Sequence, residues 1–317
     1  MLSFIKNFNR FKNERLKLMN KIVAIIVTYN RKVLLNEAID ALLNQTFNQF
    51  DIYIVDNAST DGTYDYIQQK IDQFQNISYM NTGENLGGAG GFHYGIKKAV
   101  EQNYQKIWIM DDDTIPTPTA LEELIKADNI LQDYGFLCSD VKWIDGNPCA
   151  MNVPNISNSW ISNTQYLSYG LLNVSQCSFV SCFFSSDIVK QVGLPLKEFF
   201  VWGDDAEYTK RISEAKDSYF VSKSIVVHKM NSNIPTDISQ DSPDRLFRYK
   251  FSYRNMYYVN KKQGNKLSML LYYYGIFLDI KKILRSQQSG KWKKIKIIIK
   301  GIRDGRKFKP KIEYINQ

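Results

Sequence analysis

Residues 22–31 read Ile-Val-Ala-Ile-Ile-Val-Thr-Tyr-Asn-Arg, six apolar residues in a row followed at once by polar ones. A short unbroken apolar run bounded by turn residues marks a parallel strand covered on both faces. Residues 29–31 then form its loop, and Val33 to Asn44 the helix that follows. The pattern recurs downstream. Asp51 to Val55 is a second strand closing on Asp56-Asn-Ala-Ser-Thr-Asp-Gly-Thr63, whose turn residues open another helix. Ile77 to Met80 is a third strand, Gly91 to Glu101 a helix, and Lys106 to Met110 a fourth strand that stops at Asp111-Asp112-Asp113. Strand and helix alternate, which predicts an α/β fold with a doubly wound, mostly parallel sheet. Ligands of such sheets bind beyond the carboxyl ends of the strands, and all four strands here end in polar clusters.

Beyond Pro118 a helix is expected to about Leu131, then a less regular half with strands around Gly135–Ser139 and Ser178–Phe184. Leu246 to Asn260 and Lys266 to Leu284 read as helices of a separate C-terminal unit rich in aromatic residues. The division expected is a basic amphipathic segment at 1–21, a main domain at 22–230, and a helical, basic region at 231–317 that associates with a membrane or with another copy.

With 317 residues, 44% hydrophobic and 23% charged, the chain has the usage of a globular protein, not of a disordered or multi-span one. Its net charge of +9 is unevenly spread. Residues 1–21 hold six basic and one acidic residue, residues 22–244 hold 15 and 28, and residues 245–317 hold 20 and three. Basic ends suit an anionic surface, whereas an acidic middle repels anions unless a cation intervenes. Phe4, Phe8 and Phe11 stand at helical spacing among basic residues in the first segment. That segment lacks an uninterrupted apolar stretch, because Lys6, Arg10, Lys12, Glu14 and Arg15 break it, so secretion is not indicated. The longest apolar stretch, Met269 to Leu278, falls short of the roughly 20 residues of a spanning helix. Cys138, Cys149, Cys177 and Cys182 lack C-x-x-C spacing and lie far along the chain from either histidine, which argues for reduced, buried thiols in a cytoplasmic setting.

Three adjacent aspartates repel one another unless a cation compensates them. On an extended backbone Asp111 and Asp113 point to one side and could share Mg²⁺ or Mn²⁺ through hard oxygens. The alternative is a solvated acidic turn capping the helix after Pro118; the place at a strand's carboxyl end favours the metal. Asn85-Leu-Gly-Gly-Ala-Gly-Gly-Phe92 precedes a helix, and Gly87, Gly88, Gly90 and Gly91 allow close backbone approach and free amides for an anion or a sugar. The run fits neither G-x-G-x-x-G nor a P-loop, so dehydrogenase and nucleotide triphosphatase readings recede. Phe199-Phe-Val-Trp-Gly-Asp-Asp-Ala-Glu207 joins aromatic residues to a second acidic cluster. There Asp205 could take a proton from a hydroxyl, or Asp204 or Asp205 could cap the helix Ala206–Ala215. His228 ends the strand Ser224–Val227 and, taken alone, reads as an ordinary hydrogen-bonded histidine; His93 contacts substrate or packs locally.

In this order the motifs Ile-Val-Thr-Tyr-Asn-Arg (26–31), Val-Asp-Asn-Ala-Ser-Thr-Asp-Gly (55–62), the glycine run (85–92), Asp-Asp-Asp (111–113) and Trp-Gly-Asp-Asp-Ala-Glu (202–207) resemble those of inverting family-2 nucleotide-sugar glycosyltransferases of the GT-A fold. The glycine run and the triplet are most similar to bacterial galactofuranosyltransferases, which use UDP-galactofuranose. The resemblance implies nucleotide and donor contacts for Thr28, Arg31, Asp56, the four glycines, Asp111 and Asp112. It implies metal ligands in Asp111, Asp113 and His228, a catalytic base in Asp205, and acceptor-positioning roles for Asp204 and Trp202. The extra N-terminal sheet domain of galactofuranan polymerases is absent, which points to single addition to a glycan. The expected activity is Mn²⁺- or Mg²⁺-dependent transfer of a hexose, with inversion, onto a lipid-linked glycan of bacterial cell-surface polysaccharide synthesis. UDP-galactose, UDP-glucose and dTDP-rhamnose are the alternative donors, and a non-catalytic membrane scaffold with a vestigial pocket is the alternative class. The partners expected are the anionic inner face of the bacterial membrane or a second copy of the chain, rather than nucleic acid.

Overall fold

The computed structural model describes residues 21–262 and 266–315. The basic segment expected at 1–21 lies, apart from Lys21, outside them. The elements in chain order are β1 (Ile22–Thr28), α1 (Lys32–Leu43), β2 (Phe50–Asp56), α2 (Thr63–Gln73), β3 (Ile77–Asn81), α3 (Gly87–Glu101) and β4 (Lys106–Asp111). Then come β5 (Thr114–Pro116), α4 (Ala120–Leu131), β6 (Phe136–Lys142), β7 (Asn155–Ile156), β8 (Leu171–Gln176) and β9 (Cys182–Ser185). The chain continues with α5 (Ser186–Val192), α6 (Asp204–Ala215), β10 (Ser218–His228), α7 (Leu246–Lys262), α8 (Lys266–Arg285) and α9 (Lys291–Lys307).

All ten strands form one sheet in the order β3-β2-β1-β4-β9-β6-β10-β8-β7, with β5 paired to β10. The long ladders β3–β2–β1–β4 and β6–β10 are parallel, and the short pairings of β9, β8, β7 and β5 are antiparallel. β1 is buried along its whole length, as its unbroken apolar run requires. One sheet face packs on α1 and α4, through Leu35, Ile39, Leu42, Leu121 and Leu124; the other packs on α3 and α6, through Phe92, Ile96, Tyr208 and Ile212. Burial on both faces pushes polar residues to the strand ends, and this creates the acidic rim described below.

Several elements differ from the sequence reading, among them β5, β7, β8 and α5, which it does not give, and two longer helices. The helix α3 begins at Gly87 instead of Gly91, because the Asn85 side chain accepts the Gly87 amide at 2.9 Å and the Phe200 carbonyl accepts the Ala89 amide at 3.2 Å. Those acceptors satisfy amides that a helix start leaves unpaired. The helix α9 is not apparent in the sequence, since lysines interrupt its apolar period. It forms because Gly301 and Gly305 lie against α7, where a side chain would begin 2.7 Å from Tyr253 Cβ and 2.8 Å from Tyr257 Cβ. Nor is the C-terminal region separate from the sheet: the Leu194 amide donates to the Glu313 carbonyl at 2.8 Å, and the Glu313 carboxylate pairs with Lys97 and His93 of α3.

Candidate active site

The apolar strand β4 delivers Asp111 to the sheet's edge, opposite Val27 of β1. Asp112 and Asp113 form a turn, and β5 then runs antiparallel to the end of β10, setting Thr114 opposite His228. The Lys229 amide closes this pairing on the Asp113 carbonyl at 2.8 Å. The pairing carries His228 across more than a hundred residues of sequence to the triplet. One ligand atom each of Asp111, Asp113 and His228 lies within 4.8 Å of the other two, and His228 Nε2 is 3.0 Å from Asp113 Oδ1. The other ring nitrogen, Nδ1, is 2.9 Å from Asn152 Oδ1, so an Nδ1–H donated there leaves Nε2 as the ligand atom.

Asp112 turns away from this cluster. Its Oδ2 accepts the buried Thr28 hydroxyl at 2.8 Å, and its Oδ1 is 3.3 Å from Arg31 Nη1, which also reaches Asp113 Oδ2 at 2.5 Å. Thr28 at the end of β1 and Arg31 just before α1 therefore grip the triplet. Burial, reinforced by the Asp113 charge, drives the Asp111 carboxyl up to about 7. Burial lifts Asp112 to about 6 against the pull of Arg31. Asp113 is lowered, because its bond to His228 and the charges of His228 and Arg31 outweigh its burial. The His228 pKa is raised: burial opposes its charge, but Asp113 prevails. Three carboxylates thus face one guanidinium and one imidazole. Two carboxylate oxygens and an imidazole nitrogen, in a pocket short of positive charge, are a donor set that fits a divalent cation such as Mn²⁺ or Mg²⁺.

Asp56 closes β2 and is buried. Its Oδ1 accepts the Ser59 amide at 2.9 Å and hydroxyl at 2.6 Å, and its Oδ2 accepts the Tyr79 hydroxyl. Its visible task is to shape the loop after β2. Beside it, Asn57 donates to the Gly87 carbonyl at 3.0 Å, while its own Oδ1 is buried without a partner among the described residues.

The glycine run serves chiefly the protein's own packing. A side chain on Gly87 would begin 2.1 Å from the Phe200 carbonyl oxygen, and one on Gly91 2.4 Å from Val27 Cγ1. Gly90 meets its neighbour Leu86, and of the four only Gly88 faces open space. Close backbone approach is real, but for three of the four the approaching partner is the protein.

The second acidic cluster begins α6. Gly203, at φ +87°, caps the helix, so Asp204 and Asp205 are its first helical residues and not its cap. Asp205 Oδ1 accepts the Ala206 amide at 2.7 Å, and the carboxylate also takes a backbone bond from its own amide. Burial raises the pKa of both: Asp204 goes well up, helped by the Asp205 charge and then by Asp111, and Asp205 rises in spite of the Ala206 amide.

The turn before α6 is strained, with Phe200 at φ +65° and Trp202 at φ +64°. It is held from α7 by residues that the sequence does not single out. Asn255, fully buried, reaches the carbonyls of Phe199, Val201 and Trp202 through Nδ2 at 3.0, 3.2 and 2.8 Å. Arg254 binds the Glu198 and Phe199 carbonyls. The Trp202 ring packs edge-on to Tyr249, 5.0 Å between centroids. His93 lies elsewhere, packed locally between the Pro195 carbonyl and Glu313. Cys149, remote from His228 in sequence, folds to within 3.9 Å of its Nδ1; all four cysteines are free and buried.

The sequence profile described as Glycosyl transferase family 2 matches residues 23–193. Galactofuranosyltransferase GlfT1 of Mycolicibacterium smegmatis is 26% identical over 199 residues, 60% of this chain and 65% of that protein. The protein of the same name from Mycobacterium tuberculosis H37Rv is 25% identical over 268 residues, 77% of this chain and 83% of that protein. Among solved structures, S. aureus TarS 1–349 in complex with UDP superposes with a TM-score of 0.54 at 18% identity, covering 91% of this chain and 72% of that one. The last likeness concerns the fold, which is GT-A.

Proposed function

The chain belongs to glycosyl transferase family 2 and is a glycosyltransferase of the GT-A fold, and from that membership we propose a specific reaction. It transfers galactofuranose from UDP-galactofuranose, with inversion, onto a glycan acceptor in bacterial cell-surface polysaccharide synthesis. The observation that supports the proposal is a cation-fitting cluster of Asp111, Asp113 and His228, beside which Asp205, raised by burial at the start of α6, is read as the base. The choice of sugar rests on the relatives named galactofuranosyltransferase.

In this reading Asp111, Asp113 and His228 hold Mn²⁺ or Mg²⁺. Such an ion offsets the charge of the donor diphosphate and steadies UDP as a leaving group. Arg31, half-exposed and anchored on Asp112 and Asp113, presents its remaining donors to the phosphates. The Asp205 carboxylate takes the proton of the acceptor hydroxyl. The acceptor oxygen then bonds to the anomeric carbon on the face opposite the departing UDP, and the configuration inverts in one displacement. A carboxylate whose pKa is lifted by burial holds that proton better than an exposed one. Asp204 and Trp202 arrange the acceptor beside it.

The acceptor is lipid-linked, and the enzyme works at the inner face of the membrane. Supporting this, residues 245–317 hold 20 basic and three acidic residues, and Leu270, Leu271, Phe277 and Trp292 are exposed on the same helices. No described helix is long and apolar enough to cross a membrane, so docking on the surface is the mode proposed. The test is thermal unfolding of the protein with Mn²⁺ and a panel of nucleotide sugars, because a bound donor stabilises the fold by mass action. UDP-galactofuranose should raise the midpoint most. If no nucleotide sugar raises it, the proposed reaction is wrong.

A further inference from the structure

We infer that the cavity between α7 and α8 is a binding site for the neutral sugar units of the acceptor. The inference rests on the transferase reading above and assigns the acceptor side of that same site.

The cavity encloses about 400 Å³, within the roughly 300–1,000 Å³ of small-molecule sites. Its position is set by the turn that carries the proposed base. Tyr249, in its wall, packs on Trp202 at 5.0 Å, and Met256, also lining it, comes within 3.5 Å of where a Gly203 side chain would start. The α7 wall is therefore the back of the segment that presents Asp204 and Asp205. The opposite wall is α8, whose outer side exposes Leu270, Tyr274 and Phe277. An acceptor tethered at that outer side would enter the cavity toward Tyr249, whose ring packs on Trp202.

The lining chooses among occupants. It contains no lysine and no arginine, so a diphosphate would find no counter-charge there. An alkyl chain would leave Thr236, Ser252 and Asp279 facing hydrocarbon, which costs free energy for every unpaired polar group. Asp279 Oδ2 accepts the Tyr253 hydroxyl at 2.7 Å, and the residues beside it include Tyr249 and Tyr272. Tyrosine rings with hydroxyls and one carboxylate among them match a pyranose or furanose, which has C–H faces to lie on rings and hydroxyls to donate to oxygen.

Gly275 supplies the test, since it lines the cavity on a helix and a side chain there would meet nothing within 4 Å. Gly275→Leu should fill the cavity without disturbing the fold, and its thermal midpoint reports on that directly. The probe is octyl β-galactoside, a neutral sugar on an apolar chain, observed by saturation-transfer NMR on the full chain. Wild-type protein should saturate the ring protons, Gly275→Leu should lose at least tenfold of that signal, and Asp279→Asn should lose part of it. Equal ring signal in wild type and Gly275→Leu, no ring signal in wild type, or saturation confined to the octyl chain would each overturn the inference. Thermal stabilisation by nucleotide sugar and Mn²⁺, measured in parallel, reads the donor side alone. Its failure counts against the proposed reaction, whereas its success with an unaltered glycoside signal in Gly275→Leu counts against the cavity.

Discussion

Asp111–Asp113 at the end of β4 and Asp204–Asp205 at the start of α6 are two acidic clusters, with Asp111 bearing on Asp204, yet their partners differ. The triplet faces Arg31 at 2.5 and 3.3 Å and His228 at 3.0 Å, and the Thr28 hydroxyl donates to it. Neither Asp204 nor Asp205 pairs with a lysine, arginine or histidine among the described residues, and burial raises both. Within the triplet the contrast rests on Asp113, which His228 and Arg31 lower so that it stays ionised, whereas Asp204 and Asp205, without a cationic partner, are raised and retain affinity for a proton, as Asp111 and Asp112 do until a cation offsets them.

The largest effect that could break this contrast comes from its compensated half. Asp113→Ala removes the carboxylate that joins Arg31, His228 and Asp111. Transfer should fall below detection, and Mn²⁺-dependent stabilisation by UDP should vanish with it. Retained activity would mean that the cluster holds no catalytic ion. Asp205→Asn probes the other half. Loss of a general base lowers turnover by about 10²–10⁴-fold, while the Mn²⁺-dependent UDP shift should persist. Loss of both together would merge the two clusters into one functional unit and end the contrast.

Asn255→Ala sharpens it further, by asking whether the second cluster depends on α7 for its geometry. Removing the amide strips a shared donor from the buried Phe199 carbonyl and the part-buried ones of Val201 and Trp202, and leaving a buried group unpaired costs about 1–3 kcal/mol. The expected result is a kcat lowered by roughly 10-fold or more, a tenfold step corresponding to about 1.4 kcal/mol of barrier, with the KM for donor unchanged. A change in donor KM alone would place Asn255 on the triplet's side. For Asp204 the sign is worked from its raised pKa. A carboxyl that holds its proton more tightly when folded favours the fold below its unfolded pKa, and that advantage is lost as pH rises through the folded value. Asp204→Asn, which imitates the protonated form, should therefore stabilise the protein at pH 7 and less so at pH 4. Each kcal/mol would appear as about 2–4 °C in Tm.

How far these roles can be read without coordinates depends on how local their causes are. The strands β1, β2 and β4 are legible because burial on both faces demands unbroken apolar runs, and the acidic ends follow from that. Asp111 and Asp113 are legible as a pair by alternation, although β4 ends at Asp111 and the turn of 112–113 does the rest. His228 is different: only the family resemblance points to it as a ligand, because the three-residue strand β5 that aligns it carries no signal of its own. Asn255 is hidden more deeply. It is one asparagine on an aromatic helix, and its partners lie 53 to 56 residues away. The glycine run misleads in an instructive way, since Val27 and the Phe200 carbonyl need the same absence of side chain that an anion would.

The smallest effect belongs to a carboxylate far from the chemistry, and it serves as the control for the contrast. Glu313 pairs with Lys97 at 2.6 Å, His93 at 3.1 Å and Lys197 at 3.5 Å, and its bond to Lys97 leads in drawing its pKa down to about 2. If compensation by cations is what keeps a carboxylate ionised, this group should show it with no catalytic consequence. A depressed pKa contributes stability that is present above the unfolded value near 4.5 and lost as pH falls toward 2. Because Glu313 is a third exposed, solvent screening discounts the gain to about 1 kcal/mol. Glu313→Gln should lower Tm by about 2–4 °C at pH 7, leave donor KM and kcat unchanged, and give a melting curve that approaches that of wild type as the pH is taken down to 2.5. A Tm difference that stays constant from pH 7 to pH 2.5 would show that Glu313 acts through packing of the tail and not through charge, and the compensation argument would then lack its control.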